Sequence, residues 1–174
     1  MDTISSLRGQ LKQAHEVIEQ AIADLSPEHL HHRGEGSTVQ SIAGIYAHTV
    51  TSEDYLVNVM LREQPYLFQA GGWGEKAGFD PGTDGLLSEK ISASAREADI
   101  AVMREYADEV YAATDAWLAT LSESDLDRMI HVEWAGGDVS VGQFLGTVIA
   151  WHAIHHGGEI CALKGYLGGK GLQS

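Results

Sequence analysis

The stretch Trp151-His152-Ala153-Ile154-His155-His156-Gly157-Gly158-Glu159-Ile160 places several histidines inside an otherwise apolar segment near the end of the chain. If residues from about 140 to 167 form a helix, His152 and His156 are one turn apart, about 6 Å along the axis, and project from one face. Two imidazoles at this spacing are typical of metal ligands, although histidines hydrogen-bonded in a core or on a surface show the same spacing.

The predicted helix carries apolar residues at Val141, Leu145 and Val148, on or beside the stripe of the two histidines. The imidazoles therefore continue the core-facing side of an amphipathic helix, where polar groups need partners. A metal site open to exchange takes at least three protein ligands. A third ligand has to come from another part of the chain.

Length and charge exclude several classes of function. A chain of 174 residues fits one domain over 1–174 and can bury a core without disulfides or metal. Its formal net charge of −14 disfavours binding to nucleic acid or to anionic membrane surfaces.

No apolar run approaches the ~20 residues of a membrane-spanning helix. The N-terminal residues lack the features of a secretion signal, and the single cysteine, Cys161, forms no internal disulfide and is expected in the core. We expect a cytoplasmic protein.

The spacing of apolar residues predicts four amphipathic helices. We expect them over 3–24, from a Ser37 cap to about Glu63, from a Ser94 cap to Leu121, and from a Ser140 cap to about 167. Alternating Ile130, Val132 and Trp134 before Gly136-Gly137 predict a small hairpin. Short links within each pair of helices and one long link between the pairs favour an all-α four-helix bundle with a crossover between helices 2 and 3.

The long link, about 64–93, contains many glycines and prolines and predicts no regular element. Its aromatic residues Tyr66, Phe68, Trp73 and Phe79 predict that it packs on the bundle. It could also line the mouth of a pocket, because links of this length in compact domains are often functional.

His48 is the candidate for the third ligand, because it falls in the apolar stripe of the second predicted helix. Such a histidine is usually a hydrogen-bonded core residue, but two helices facing each other across a bundle could bring it to the pair. His29, His31 and His32 cluster in a predicted loop, where we expect them to be solvated. A di-iron carboxylate site is excluded, since its Glu-x-x-His motif occurs only at Glu28, beside a proline.

One histidine in the second helix and an HxxxH pair in the fourth resemble the pattern of the DinB-like (YfiT-like) superfamily. The resemblance implies a DinB-like bundle with His48, His152 and His156 as ligands of one divalent transition metal ion, zinc or nickel, since imidazole suits both. On geometry alone His155 competes with His156, and the register of the family favours His156.

The chain departs from the family in one run. The family's usual histidine, arginine, glycine, glutamine and isoleucine appear here as His156-Gly157-Gly158-Glu159-Ile160. The missing arginine removes a side chain that could bind an anion. Glu159, three residues after His156, becomes a candidate catalytic residue that could touch the metal or its water. Glu53 is a weaker candidate for a base, since it is rotated away from His48.

The resemblance implies a metal-dependent enzyme with a small-molecule substrate, because characterised members transfer thiols or act as hydrolases or isomerases. The first hypothesis is transfer of a low-molecular-weight thiol cosubstrate to a small electrophile, since a metal ion with three neutral ligands stabilises a thiolate. The alternatives are a metal-dependent hydrolase or isomerase, with Glu159 or Glu53 as base, and a metal-binding stress protein without turnover. We expect a homodimer, by resemblance and because two-fold pairing is the commonest assembly.

Overall fold

The structure is a computed structural model that describes residues 2–35, 37–80, 95 and 98–171. Its elements in chain order are α1 (Thr3–Ile22), α2 (Pro27–His31), α3 (Ile42–Asp54), α4 (Leu67–Ala70), α5 (Trp73–Ala77), α6 (Ile100–Leu118), α7 (Glu123–Leu126), β1 (Met129–Val132), β2 (Gly137–Ser140), α8 (Val141–Phe144) and α9 (Trp151–Tyr166). A π-helix, Tyr55–Leu61, continues α3, another, Leu145–Ala150, joins α8 to α9, and a 3-10 turn, Glu133–Ala135, joins the two strands.

Four long helical segments form the expected bundle. Helix α1 packs most extensively against α9, α3 lies between α9 and α6, and α1 also contacts α6. One apolar cluster includes Ile18, Tyr46 and Tyr106, and a second, which contains Leu118 and Phe144, lies among α1, the two π-helices and α6. The prediction of an all-α four-helix bundle with a crossover after the second long helix is confirmed, with β1 and β2 as the predicted hairpin.

Three helix starts show where the caps lie. Ser140 caps α8 as predicted, accepting a hydrogen bond from the backbone N–H of Gln143. The predicted cap at Ser37 is wrong, because Ser41 caps α3 and the Ser37 hydroxyl accepts the N–H of Val39 in a turn. Asp99 caps α6, and the predicted cap at Ser94 falls outside the described residues.

The π-helices were not predicted, because a search for a 3.6-residue period treats each helix as regular. Both lie on the two long segments that carry the ligand candidates: Tyr55–Leu61 follows the part of α3 with His48, and Leu145–Ala150 ends just before His152. Short π-helical stretches are frequent at functional sites. Each π-helix changes the angular position, about the helix axis, of the residues that follow it, compared with a regular α-helix.

The first part of the long link contains two short helices, α4 and α5, which the sequence did not predict. The four aromatic residues of this part are buried, as expected: Tyr66, Phe68, Trp73 and Phe79. Asp54 anchors the start of the link, since its buried carboxylate accepts the backbone N–H groups of Leu67 and Phe68 and the hydroxyl of Tyr106. Residues 81–94 of the link lie outside the described residues.

The three clustered histidines are not all in a loop. His29 and His31 belong to the short helix α2, and His32 follows it with an exposed side chain. Among the described residues, no helix combines the length and the hydropathy that crossing a membrane requires.

Candidate metal centre

The structure brings His48, His152 and His156 together between α3 and α9. One ring nitrogen from each lies within 4.8 Å of those of the other two. The Nε2 atoms of His48 and His152 are 3.0 Å apart, and the His156 ring centroid is 5.0 Å from that of His48 and 4.5 Å from that of His152. Residues more than a hundred positions apart in sequence therefore form one cluster of imidazoles.

Burial keeps these imidazoles neutral at pH 7. Burial, with a smaller contribution from the neighbouring imidazoles, lowers the pKa of His48 to about 4 and that of His152 to about 3. Burial also lowers the pKa of His156, while the hydrogen bond with Glu159 opposes the shift. Neutral imidazole is the form that binds a metal ion, so no proton has to leave before an ion enters.

The spacing of the three nitrogens fits a divalent ion. Two nitrogens bound to zinc at ~2.0–2.1 Å in a tetrahedron lie about 3.3 Å apart, close to the 3.0 Å between the Nε2 atoms of His48 and His152. Without an ion, one of these two atoms carries a hydrogen and donates a hydrogen bond to the other. A cation between them would satisfy both lone pairs and that of His156.

Two neighbouring side chains orient the imidazoles. The Ser52 hydroxyl lies 3.3 Å from Nδ1 of His48, one turn along α3, and a carboxylate oxygen of Glu159 lies 2.9 Å from Nδ1 of His156. Because Nδ1 of His48 and Nδ1 of His156 each have a hydrogen-bond partner, Nε2 of these two rings is the atom left to face an ion. The sequence analysis identified Glu159 but missed Ser52, although a serine four residues after a helical histidine was a usable signal.

His155 takes a different position from the other two histidines of α9. Its side chain is exposed and stacks on Trp151 with ring centroids 4.9 Å apart. A ring nitrogen of His155 lies within 4.8 Å of ligand atoms of His156 and Glu159, whereas His156 is also that close to His48 and His152. This geometry agrees with the register that the resemblance implied, in which His156 is the ligand.

Gly157 lets α1 approach α9 beside the cluster. A Cβ atom at this position would lie 3.3 Å from Cγ1 of Ile18, tighter than most such contacts, and 3.5 Å from Cγ1 of Val17, an ordinary contact. Any side chain at this position would require Ile18 to shift by a few tenths of an ångström. The departure from the family's run thus matches close packing between α1 and α9.

Two other candidates of the sequence analysis point elsewhere. Cys161 is buried in the core, as expected. Glu53 hydrogen-bonds Nε2 of His15 on α1 at 2.7 Å and belongs to neither group of ligand atoms found among the described residues. His15 was missed, although its place four residues after Leu11 and three before Ile18 put it on the apolar stripe of α1.

Comparisons with known proteins identify one family from the sequence and a shared fold from two solved structures. The sequence profile of a family described as the DinB superfamily matches residues 10–160. A crystal structure of a conserved protein from Enterococcus faecalis is similar, with 20% identity over 94% of this chain and 96% of that one and a TM-score of 0.79. YfiT from Bacillus subtilis, described as a probable metal-dependent hydrolase with an unusual four-helix bundle topology, shares 16% identity over 96% and 89%, with a TM-score of 0.66. No curated protein sequence matches the chain.

Proposed function

Since the chain belongs to the DinB superfamily, we propose that it is a metal-dependent enzyme that hydrolyses a small molecule at the His48, His152 and His156 cluster. The observation that carries this proposal is the convergence of three neutral imidazoles from two helices, one of them buried and two half-buried. The description of YfiT as a probable metal-dependent hydrolase supports the choice of hydrolysis.

The cluster would hold a zinc or nickel ion through three neutral nitrogens. A divalent ion with three neutral protein ligands keeps its charge, polarises a substrate carbonyl and lowers the pKa of water at an open position to near 7. Structural zinc sites usually have four protein ligands, so a set of three histidines is typical of a catalytic site.

Glu159 has two tasks in this proposal. Its carboxylate accepts the Nδ1–H of His156 and fixes the ring with Nε2 toward the ion. The same side chain is about one-third exposed, so its carboxylate also meets solvent, where it can accept the proton that water gives up during attack. Ser52 fixes the His48 ring from the buried side of the cluster.

Thiol transfer is the second candidate. The same uncancelled charge that activates water stabilises a thiolate, whose free pKa is near 8.5. The two reactions differ in one requirement, because only transfer consumes a thiol.

A turnover assay distinguishes the candidates. Protein purified without an affinity tag is stripped with a chelator, reloaded with zinc or nickel, and tested on a panel of small esters, amides and electrophiles with and without added thiols. Metal-dependent turnover without thiol supports hydrolysis, and turnover that requires a thiol replaces it with transfer.

Variants of the histidines provide the control for this assay. His152→Ala should abolish turnover, while His155→Ala, the matched change on the same helix, should retain it. Turnover by fully metal-free protein would contradict the proposal, and loss in His155→Ala with retention in His156→Ala would show that the register is wrong.

A homodimer is also part of the proposal. Two large apolar side chains on α9, Trp151 and Ile154, are 58% and 55% exposed, which supports a partner surface beside the cluster. Light scattering at tens of micromolar should give twice the mass of the chain, and a monomer would contradict this part.

A further inference from the structure

A second group of polar residues lies apart from the imidazole cluster. A cleft of about 660 Å³ opens between α1 and α6, and none of His48, His152 and His156 lines it. This volume falls within the range of small-molecule sites, ~300–1,000 Å³. Its floor includes His15 from α1, and Tyr111 and Thr114 from α6.

A buried carboxylate holds the His15 ring at this floor. Nε2 of His15 is 2.7 Å from an oxygen of Glu53, which is only 3% exposed, and the ring stacks on Tyr111 with centroids 3.6 Å apart. An ionised carboxylate has no proton to give, so Nε2 carries the hydrogen and donates it. In the neutral form of the ring the other nitrogen, Nδ1, then has a free lone pair, and no hydrogen bond to Nδ1 occurs among the described residues.

Three buried oxygen atoms around this ring also have no hydrogen-bond partner in the part of the chain that the structure describes. They are Oε1 of Glu53, the hydroxyl of Tyr111 and the hydroxyl of Thr114. Buried polar groups in native proteins are normally satisfied, so three exceptions at one place need an explanation. A bound molecule with hydrogen-bond donors would explain the two hydroxyl groups.

Thr114 differs from the other buried threonines. Thr49 and Thr51 each donate to the carbonyl four residues earlier, at 2.8 and 2.7 Å, which is the usual bond of a threonine inside a helix. Thr114 is 1% exposed and makes no such bond. Its hydroxyl therefore loses no hydrogen bond when it turns toward a molecule in the cleft.

The charges around the cleft favour a cation. Four carboxylates and two cations line it: Glu16, Glu19, Asp108 and Asp115 against Arg8 and Lys12. Arg8 binds Asp115 at 2.7 Å, and Lys12 lies 3.8 Å from Glu16, so both cations are matched by acids of the same cleft. The carboxylate of Glu19 is shared with Arg104, while Asp108 makes no ion pair within the described residues. The lining therefore has an excess of negative charge.

We propose that the cleft between α1 and α6 binds a small molecule through a primary ammonium group. An ammonium group has three N–H bonds, and the floor residues offer three acceptors: Nδ1 of His15 and, once the buried side chains of Thr114 and Tyr111 shift toward the cleft, their hydroxyl oxygens. Asp108 at the wall contributes negative charge that Arg104 offsets only in part. The site is separate from the three-histidine cluster, so amine binding does not require the metal ion.

Calorimetric titration of the chelator-treated full chain tests this proposal. The probes are 1,4-diaminobutane, the uncharged butane-1,4-diol and the anion succinate, all near physiological ionic strength so that the net charge of the chain is screened. We expect saturable binding of one diamine per chain and none of the diol or succinate. Absence of diamine binding, or equal binding of the diol, would overturn the proposal.

Variants show whether the diamine occupies this cleft. Thr114→Val removes only the hydroxyl and should weaken binding at least about tenfold, while Thr114→Ser should restore it. Asp108→Asn should weaken binding about threefold. Glu105→Gln removes the same charge from an exposed position on the same helix and should have no effect. Diamine binding that Thr114→Val leaves unchanged, or that Glu105→Gln weakens as much as Asp108→Asn, would place the amine elsewhere and contradict the assignment.

Discussion

Two groups of buried histidine side chains share helix α3 but satisfy their nitrogens in different ways. On one side, His15 meets the carboxylate of Glu53 at 2.7 Å, so a protein acid is its partner. On the other side, His48 meets His152 at 3.0 Å, and two neutral imidazoles oppose each other. The first arrangement contributes to stability in itself, whereas the second leaves lone pairs that a cation completes. The difference separates a pair that holds α1 to α3 from a cluster arranged to bind an ion.

The largest effect on stability should come from the pair with the carboxylate. We expect Glu53→Ala to lower the free energy of unfolding by about 3 kcal/mol, because it leaves the buried His15 without its partner. Removing His48 in metal-free protein should cost less, because the imidazoles of His152 and His156 that are left behind are half-buried and can hydrogen-bond to water.

Urea unfolding of the metal-free proteins measures both effects, with the exposed Glu16→Ala on α1 as control. If His48→Ala destabilises the metal-free chain as much as Glu53→Ala, the two sites do not differ as described.

The cluster should make the metal-free protein sensitive to mild acid. The pKa values of His48 and His152 in the folded state, about 4 and about 3, lie below the ordinary 6.5. As the pH falls from 6.5 toward 4, the unfolded chain therefore takes up protons that the folded chain does not, and stability is lost in this window. For His48 alone the loss at pH 5 is on the order of 2 kcal/mol.

Unfolding experiments at pH 7 and pH 5 measure this loss. The His48→Ala variant should lose less stability than the wild type over the same interval, since one of the groups that titrate in the unfolded chain is gone. An equal loss in the two proteins would assign the acid sensitivity to other groups.

Much of the bundle could be predicted from sequence because it depends on local patterns. The apolar period located all four long helices, and Ser140 acted as a cap as predicted. The start of α3 was missed because Ser37 and Ser41 offer similar capping signals, and only packing decides that Ser41 is used. The two π-helices were missed because the apolar pattern of their segments does not distinguish a π-helical stretch from a regular α-helix.

The candidate site was predictable for a different reason. The HxxxH spacing and the resemblance singled out His48, His152 and His156, and the structure brings them together. Ser52 was missed although it lies four residues after His48 on the same helix. The pair of His15 with Glu53 was not predicted, because a contact between residues 38 positions apart on two helices has no signature in the sequence. The roles of all these residues in binding or catalysis stay predictions.

A smaller effect should separate the two tasks of Glu159. Glu159→Ala removes the acceptor that orients His156 and should weaken metal binding about tenfold. Glu159→Gln keeps an acceptor oxygen and should stay within about threefold in metal affinity. Competition with a chromophoric chelator measures both affinities. A glutamine variant with normal metal affinity but no turnover would identify Glu159 as the base, and an equal loss of affinity in both variants would make its charge a part of the metal site.

The smallest effect should be that of metal removal on the fold. The core of the bundle consists of two apolar clusters independent of the three imidazoles, so the metal-free chain should stay folded. Helical circular dichroism at pH 7 should be almost unchanged after chelation. A collapse of the helical signal would mean that the ion is structural.

Metal content is the most direct test of the central claim. Protein purified without an affinity tag, reloaded with zinc or nickel and freed of excess ion should contain one metal ion per chain by elemental analysis. His48→Ala, His152→Ala and His156→Ala should each lose most of it, while His31→Ala and His155→Ala should retain it. The account would be contradicted if the wild-type chain held no stoichiometric metal after reloading. It would also be contradicted if the His152→Ala variant kept its metal.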